Sequence, residues 1–229
     1  MKDALKELLK IVVEEVITTG EPVGSQYLVE EHDLDASSAT IRNWFAILEE
    51  EGYLSQPHAS AGRVPTEKGY RFYLQELMKE RALQRQEMER LRRAASDSHF
   101  SSDELRFVAK TLSDFVQDAL VVVSRHSETH ATGLSRVLSQ PEFADRDRVT
   151  RFSDMFDRVD ETLEELREMP MGQPTALIGK DCPFGEDCGS VFLQCPDGTL
   201  LSFFGSIRMD YPRHFALMRT AQRFLTDEE

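Results

Sequence analysis

Residues 37–52 of the chain read SSATIRNWFAILEEEG, and the interpretation of the N-terminal part starts from this segment. Four apolar side chains recur with the spacing of one helix face: Ile41, Trp44, Phe45 and Leu48. The opposite face carries short or hydrogen-bonding side chains: Ala39, Arg42, Asn43 and Ala46. Ser37 or Ser38 is suited to begin the helix as its N-cap, and Gly52 is suited to end it. The segment therefore predicts an amphipathic helix with one buried and one small, polar face.

Two helices are predicted before this segment. Apolar residues between positions 5 and 17 follow helical spacing, and Gly20 followed by Pro22 ends that helix. Ser25 is suited to cap a second, short helix that runs to about His32. Residues 34–36 then form a turn that leads into the third helix.

A hairpin is predicted after the third helix. Residues 53–56 read as a strand, residues 57–62 (PHASAG) as a loop of small and helix-breaking residues, and residues 63–65 as a return strand. Thr66 is then suited to cap a fourth helix. Three helices followed by a β-hairpin is the order of a winged helix-turn-helix, and we predict such a DNA-binding domain over residues 1–78.

The exposed face of the third helix has residue types that read DNA. Arg42 can donate two hydrogen bonds to guanine and Asn43 can bond adenine, while Ala39 and Ala46 permit a close approach. Three hydroxyl residues at the helix start are expected to bind phosphate: Ser37, Ser38 and Thr40. Five groups in or after the hairpin loop are expected to hold the backbone or minor groove: His58, Ser60, Arg63, Lys68 and Arg71. The acidic residues 49–51 are expected to point away from the groove.

Two observations oppose this prediction. Residues 1–80 carry 8 Lys/Arg against 15 Asp/Glu, a net charge of −7 within a chain of net charge −14. DNA affinity comes largely from cations that neutralise phosphates, so contact requires a local patch. From the helix alone, Arg42 and Asn43 also fit an ordinary solvated face, and it is the hairpin loop that favours DNA binding.

The remainder of the chain predicts a charged helical linker and a second domain. Residues 79–102 form the linker, with a weak heptad pattern and a break at residues 96–102. Residues 103–229 contain helical spacing from Leu105 to Val116, a helix at 151–168 and a last helix that opens at Pro212. Strands are predicted at 119–124, 176–178, 191–193 and 200–204, with an Asp-Gly turn before the last of them. The fold class is therefore α+β.

Composition and motifs disfavour several classes of protein. No apolar run approaches the ~20 residues of a membrane span, and the N-terminus lacks a signal-peptide pattern, so we expect a cytoplasmic protein. Cys182, Cys188 and Cys195 lack the close pairs of a zinc site, and a cysteine nucleophile would need a histidine partner. We expect ordinary thiols, no metal, no cofactor and no enzyme.

Several blocks of the sequence resemble one family, the HrcA heat-inducible transcription repressors. They are residues 19–25 (TGEPVGS), 38–43 (SATIRN), 52–54 (GYL), 56–58 (QPH), 60–66 (SAGRVPT) and 68–73 (KGYRFY), with thinner matches at 141–143 (PEF) and 208–211 (RMDY). The resemblance implies a winged-helix domain followed by a GAF-like domain. It also implies a homodimer that represses chaperone genes at an inverted-repeat operator, with the chaperonin GroEL as a modulating partner.

The sequence departs from the family pattern in three places. Family members are longer, and the part that is missing here falls near residues 124–130, where the resemblance implies an inserted dimerisation domain. The C-terminal domain is therefore expected to be a reduced GAF-like domain. Trp44 and Ile47 replace residues that are usually polar or acidic, and segment 180–195 is unusual. Two alternatives stay open: a ligand- or redox-sensing DNA-binding regulator, and a winged-helix protein-interaction module that does not bind DNA.

Overall fold

The computed structural model describes residues 1–32, 34–94, 102–125, 128–170 and 172–225 of the 229-residue chain. The chain divides into two compact units, Met1–Lys79 and Glu80–Glu229. Both contain helices and antiparallel strands, so the α+β class is confirmed. No helix among the described residues is long and apolar enough to cross a membrane.

Three helices open the first unit: α1 (Asp3–Thr19), α2 (Ser25–Glu31) and α3 (Ser38–Glu50). The apolar face of α1 is buried, as its spacing predicts, from Leu5 to Val16. Helix α1 ends at Gly20, whose left-handed φ of 74° suits glycine. The prediction that Ser25 caps α2 is wrong, because the N-cap is Gly24 and Ser25 is the first helical residue.

A two-stranded antiparallel hairpin follows, with β1 (Leu54–Ser55) paired to β2 (Val64–Pro65). Thr66 caps α4 (Glu67–Phe72) by accepting a hydrogen bond from the Gly69 backbone, as predicted. A π-helical turn, Tyr73–Leu77, continues α4 and buries the Tyr73 ring. The element order predicted for residues 1–78 is therefore present, although each strand is only two residues long.

The second unit is built on a five-stranded sheet of order β4-β3-β7-β6-β5, in which all neighbours are antiparallel. Its strands are β3 (Ala119–Arg125), β4 (Glu128–Thr132), β5 (Thr175–Ile178), β6 (Cys188–Gln194) and β7 (Leu200–Ser206). The four predicted strands correspond to β3, β5, β6 and β7. Strand β4 was not predicted, since the polar residues of this edge strand (ETHAT) carry no apolar alternation. Residues 126–127, which fall in the region where the resemblance implies a missing domain, lie outside the described residues.

Six α-helices of the described residues belong to the second unit: α5 (Arg85–Ala94), α6 (Ser102–Phe115), α7 (Leu134–Leu138), α8 (Arg146–Phe156), α9 (Val159–Arg167) and α10 (Tyr211–Leu225). The prediction of one helix at 151–168 is wrong, because the chain bends at Asp157 and Arg158. A straight helix over residues 146–167 would be about 33 Å long. A seven-residue strand spans only about 23 Å. The bend lets Phe152 of α8 and Leu163 of α9 join one core cluster with Phe204 of the sheet.

The described part of the predicted linker is packed into the second unit. Helix α5 buries Leu91 and Ala94, and Glu87 pairs with Arg213 of α10 at 2.6 Å. This segment was predicted to be a linker because its exposed face is highly charged. That charge obscured the two apolar positions that are buried. The break predicted at residues 96–102 lies outside the described residues except for Ser102.

Candidate nucleic-acid interface

Helix α3 has the two faces that its sequence predicts. Ile41, Phe45 and Leu48 are at most 3% exposed, and Trp44 is half-buried. The other face is exposed and consists of Ala39, Arg42, Asn43, Ala46, Ile47 and Glu50. The buried face therefore holds α3 against its unit, while the exposed face is left for a partner.

Two hydroxyl groups organise the first turn of α3. Ser37 is the N-cap, and its Oγ accepts a hydrogen bond from the Thr40 backbone at 3.2 Å. The Ser37 and Thr40 hydroxyls also lie 3.0 Å apart. This cap satisfies one of the free N–H groups at the helix start and leaves others for an anion.

The Arg42 side chain is turned towards the starts of both α2 and α3. Its Nε donates to Ser25 Oγ at 3.3 Å and its Nη2 donates to Ser38 Oγ at 3.1 Å. The two serine hydroxyls lie 2.9 Å apart. Ser38 and Arg42 were predicted as DNA contacts, whereas Ser25 was predicted only as a helix cap. The signal that could have found it is the helix-turn-helix order, which places the starts of these two helices together.

The hairpin loop carries two of the predicted residues at its exposed tip. His58 Nδ1 and Ser60 Oγ lie 3.2 Å apart, and both residues are exposed. Gln56 Nε2 braces the loop by donating to the carbonyl oxygens of Ala59 and Ala61, at 3.1 and 2.9 Å. The Gln56 side chain thus holds the loop in shape, while the loop's own polar side chains are exposed.

The root of the hairpin is fixed to the turn between α1 and α2. Val23 and Arg63 exchange two backbone hydrogen bonds, of 2.9 and 2.8 Å. A Cβ on Gly62 would lie 2.4 Å from both the carbonyl carbon and the oxygen of Val23. The close approach requires glycine at this position, because every atom it would meet first is backbone.

The three predicted cations after the loop are held within their unit. Arg63 pairs with Glu49 at 3.0 Å, and its side chain is 18% exposed. Lys68 donates to the Glu51 carbonyl at 2.7 Å and lies 4.4 Å from the centre of the Tyr53 ring.

Arg71 pairs with Glu67 one helical turn away, at 2.8 Å. Glu50 is exposed, as its place on the outer face of α3 predicts. Glu49, which was expected to point away from the groove, instead pairs with Arg63, one of the predicted DNA contacts.

The predicted residues consequently form two groups at opposite ends of α3. Ser37, Ser38, Thr40 and Arg42 lie at its start. Arg63 contacts Glu49 in its last turn, and Lys68 contacts its C-cap residue, Glu51. A helix of the 13 residues found in α3 is about 20 Å long. Ala39, Asn43 and Ala46 occupy the exposed surface between the two ends.

The cysteines are buried, free thiols in the second unit. Burial raises the pKa of Cys182 to about 11 and those of Cys188 and Cys195 to about 12. Thiols with such pKa values are poor nucleophiles at neutral pH. Across the described ranges, no group of histidine, cysteine and acidic residues is arranged to hold a metal ion.

One buried pair of side chains connects the residue before β3 to the first turn of α10. His214 is fully buried, and its Nε2 lies 2.9 Å from Oδ1 of Asp118. Burial alone raises the pKa of Asp118, but the pairing with His214 and a hydrogen bond from the Asp210 backbone lower it to about 2. This pair fixes the first turn of α10 against the end of the sheet.

Comparison with known proteins decides the family. The model of the HrcA protein C-terminal domain matches residues 68–214, which is more than half of the chain. The chain belongs to the HrcA family. It is 53% identical over 83 residues to the heat-inducible transcription repressor HrcA of Acetivibrio thermocellus, which covers 36% of this chain and 24% of that protein.

A second HrcA relative aligns over a longer segment. The heat-inducible transcription repressor HrcA of Mycobacterium leprae is 37% identical over 175 residues, covering 71% of this chain and 50% of that protein. The chain thus covers half or less of the length of these HrcA relatives. A crystal structure of a hypothetical protein has a TM-score of 0.73 at 17% identity and covers 100% of this chain and 99% of that one. This likeness supports the fold.

Proposed function

We propose that the chain is a DNA-binding transcription repressor of heat-shock genes, with a winged helix-turn-helix as its DNA-binding domain. The observation that carries the proposal is α3: a buried apolar face beneath an exposed surface of Ala39, Asn43 and Ala46, followed directly by a hairpin. Small residues beside a free amide let a helix approach base edges in a major groove. HrcA relatives carry the name heat-inducible transcription repressor, which supports the same function.

The two groups of predicted residues suit contacts on either side of a groove. Ser37, Ser38 and Thr40 would meet phosphate at the start of α3, where free N–H groups favour anions. The exposed loop tip, with His58 and Ser60, would act as the wing on the backbone or minor groove. The cations that follow would support it from fixed positions, because Arg63 and Arg71 pair with glutamates and Lys68 donates to the Glu51 backbone carbonyl.

The second unit would serve as a reduced GAF-like domain for dimerisation and regulation. Its antiparallel sheet carries a mixed α/β core, with α8 and α9 packed on one face and α10 contacting β6. A homodimer would present one α3 to each half of an inverted repeat, because a two-fold protein matches a two-fold operator. By resemblance to the family, the GroEL chaperonin would be the modulating partner of a cytoplasmic regulator without enzymatic activity.

The buried thiols bear on the redox-sensing alternative. A sensor cysteine needs an accessible thiolate, whereas burial raises the pKa of all three thiols here. The protein-interaction alternative draws support from the acidic charge and from the Glu49–Arg63 and Glu67–Arg71 pairs, which reduce the positive potential of the surface. DNA binding at low salt separates that alternative from the repressor.

The test is selection of DNA by the full chain. A pool of duplexes with a randomised centre is bound, recovered and sequenced over several rounds, and the enriched duplex is compared with a scrambled version in a binding titration. We expect enrichment of an inverted repeat and preference over the scrambled duplex. A pool that stays random, with no binding even at low salt, would instead support the protein-interaction module.

A further inference from the structure

Two hydrogen bonds hold the Arg42 guanidinium in one position. It is held by Ser38, one turn earlier on the same helix, and by Ser25 at the start of α2. Arginine side chains on helices commonly extend back along the preceding turn, and here two hydrogen bonds fix that direction. The charged group therefore lies at the joint of two helix starts instead of over the middle of the exposed face of α3.

The donors left at this joint all suit an oxyanion. A guanidinium has five N–H donors, of which the two serines receive two. Since one hydroxyl donates to the other across 2.9 Å, the second hydroxyl proton is also available. In the described part of the chain, Arg42 has no carboxylate partner, in contrast to Arg63 and Arg71. Arg42 is thus the arginine of the first unit whose charge is not neutralised by a neighbouring glutamate.

Asn43 differs from Arg42 in its surroundings. It is exposed, and no described residue forms a hydrogen bond with its side chain. Ala39 and Ala46 lie four residues before and three after it, on the same face, so their small side chains leave space around its amide. An unengaged amide with such neighbours can bond the edge of an adenine in two places.

We propose that Arg42, Ser25 and Ser38 together clamp a DNA phosphate, and that Asn43 carries the base discrimination of α3. The inference rests on the DNA-binding function proposed above and revises the expectation that Arg42 reads guanine. In this assignment Arg42 positions the helix on the backbone and supplies much of the electrostatic attraction of an otherwise acidic unit. Specificity then comes from the neighbouring residue, whose side chain is unengaged.

The test measures salt dependence and base preference separately. The full chain and its variants are titrated against three probes across a potassium chloride series: the selected duplex, its single-base-pair variants and a scrambled duplex. Arg42→Ala is expected to weaken binding by the same factor on every probe. It should reduce the slope of log affinity against log salt by about 0.9 per half-site, the value for one lost phosphate contact.

Asn43→Ala is expected to have the complementary effect. It should leave the salt slope unchanged and erase about 5- to 150-fold of discrimination at one base pair in each half-site. Ser25→Ala should weaken all probes alike. It should also have little further effect when combined with Arg42→Ala, because both act through one clamp.

Arg106→Ala is the matched control, since it removes the same charge from an exposed position on α6 of the second unit and should leave the slope unchanged. Circular dichroism melting of each variant checks that the fold is retained. The proposal is overturned if Arg42→Ala relaxes the preference at one base pair while the salt slope stays constant. Failure of the unmodified chain to bind any probe at low salt is a different outcome, which overturns the proposed function itself.

Discussion

Replacing Gly62 by alanine should destabilise the first unit, although glycine-to-alanine changes often stabilise proteins. The new Cβ would lie 2.4 Å from the Val23 carbonyl carbon and oxygen and 2.8 Å from the Gly24 nitrogen. None of these backbone atoms can move aside as a flexible side chain would. Relief requires separating the hairpin root from the turn between α1 and α2, where Val23 and Arg63 share two backbone hydrogen bonds.

The magnitude follows from three contributions. Two lost hydrogen bonds cost about 1–3 kcal/mol in total. Overpacking adds about 1–3 kcal/mol. Alanine also has less conformational freedom than glycine in the unfolded chain, which stabilises the folded state by about 0.4–1 kcal/mol. We therefore expect the free energy of unfolding to fall by about 1–6 kcal/mol, with about 3 kcal/mol as the central value.

Trp44 makes the measurement specific to this unit. It is the single tryptophan of the chain and lies half-buried on α3, so its fluorescence during urea unfolding reports the first unit. Gly24→Ala is the matched control, because nothing lies within 4 Å of its added Cβ. Gly24→Ala should lose a little stability at the N-cap of α2 and gain a similar amount from the lower entropy of the unfolded chain, so its free energy of unfolding should change little. Equal urea midpoints for the Gly62→Ala and Gly24→Ala proteins would refute the reasoning.

Three further predictions concern the second unit. The pKa of Asp118 is lowered from 3.8 to about 2, so its ionised form stabilises the folded unit above pH 3.8, and this stability is lost as the pH falls towards about 2. Unfolding followed by circular dichroism across this pH range should show a loss of about 2 kcal/mol, and Asp118→Asn should remove that pH dependence. The three buried thiols should be inert to a thiol reagent at neutral pH and should all react in denaturant; rapid labelling of the native chain would contradict the raised pKa values. Glu142→Ala should remove the carboxylate that pairs with Arg208, whose side chain is only 15% exposed. The free energy of unfolding in urea should fall by about 2 kcal/mol. An unchanged urea midpoint would show that the pair contributes nothing to stability.

The faces of α3 were predictable from sequence because helical spacing is a local property. Whether Ile41, Leu48 or Asn43 is buried or exposed follows from its place in the 3.6-residue helical repeat, which involves only nearby residues. The contact between Arg42 and Ser25 joins residues 17 positions apart and depends on how α2 packs against α3. Periodicity carries no information about such a contact.

The pairing of Arg63 with Glu49 escaped prediction for the same reason, since 14 positions separate them. In the second unit, the buried strands β6 and β7 were evident from their apolar runs, whereas the polar strand β4 was not. Strand β4 exists because β3 offers it backbone partners along its length. That stabilisation comes from a neighbouring strand, and the strand's own side chains do not reveal it.

The central claim is that α3 enters the major groove of DNA from a symmetric dimer. Dimethyl sulfate methylates guanine N7, which lies in that groove, so protection of the selected duplex by the full chain tests the claim most directly. The account predicts two protected patches related by two-fold symmetry, separated by one helical turn or a multiple of it. An unprotected duplex, with chain concentrations at which binding is complete, would contradict the placement of α3 in the major groove.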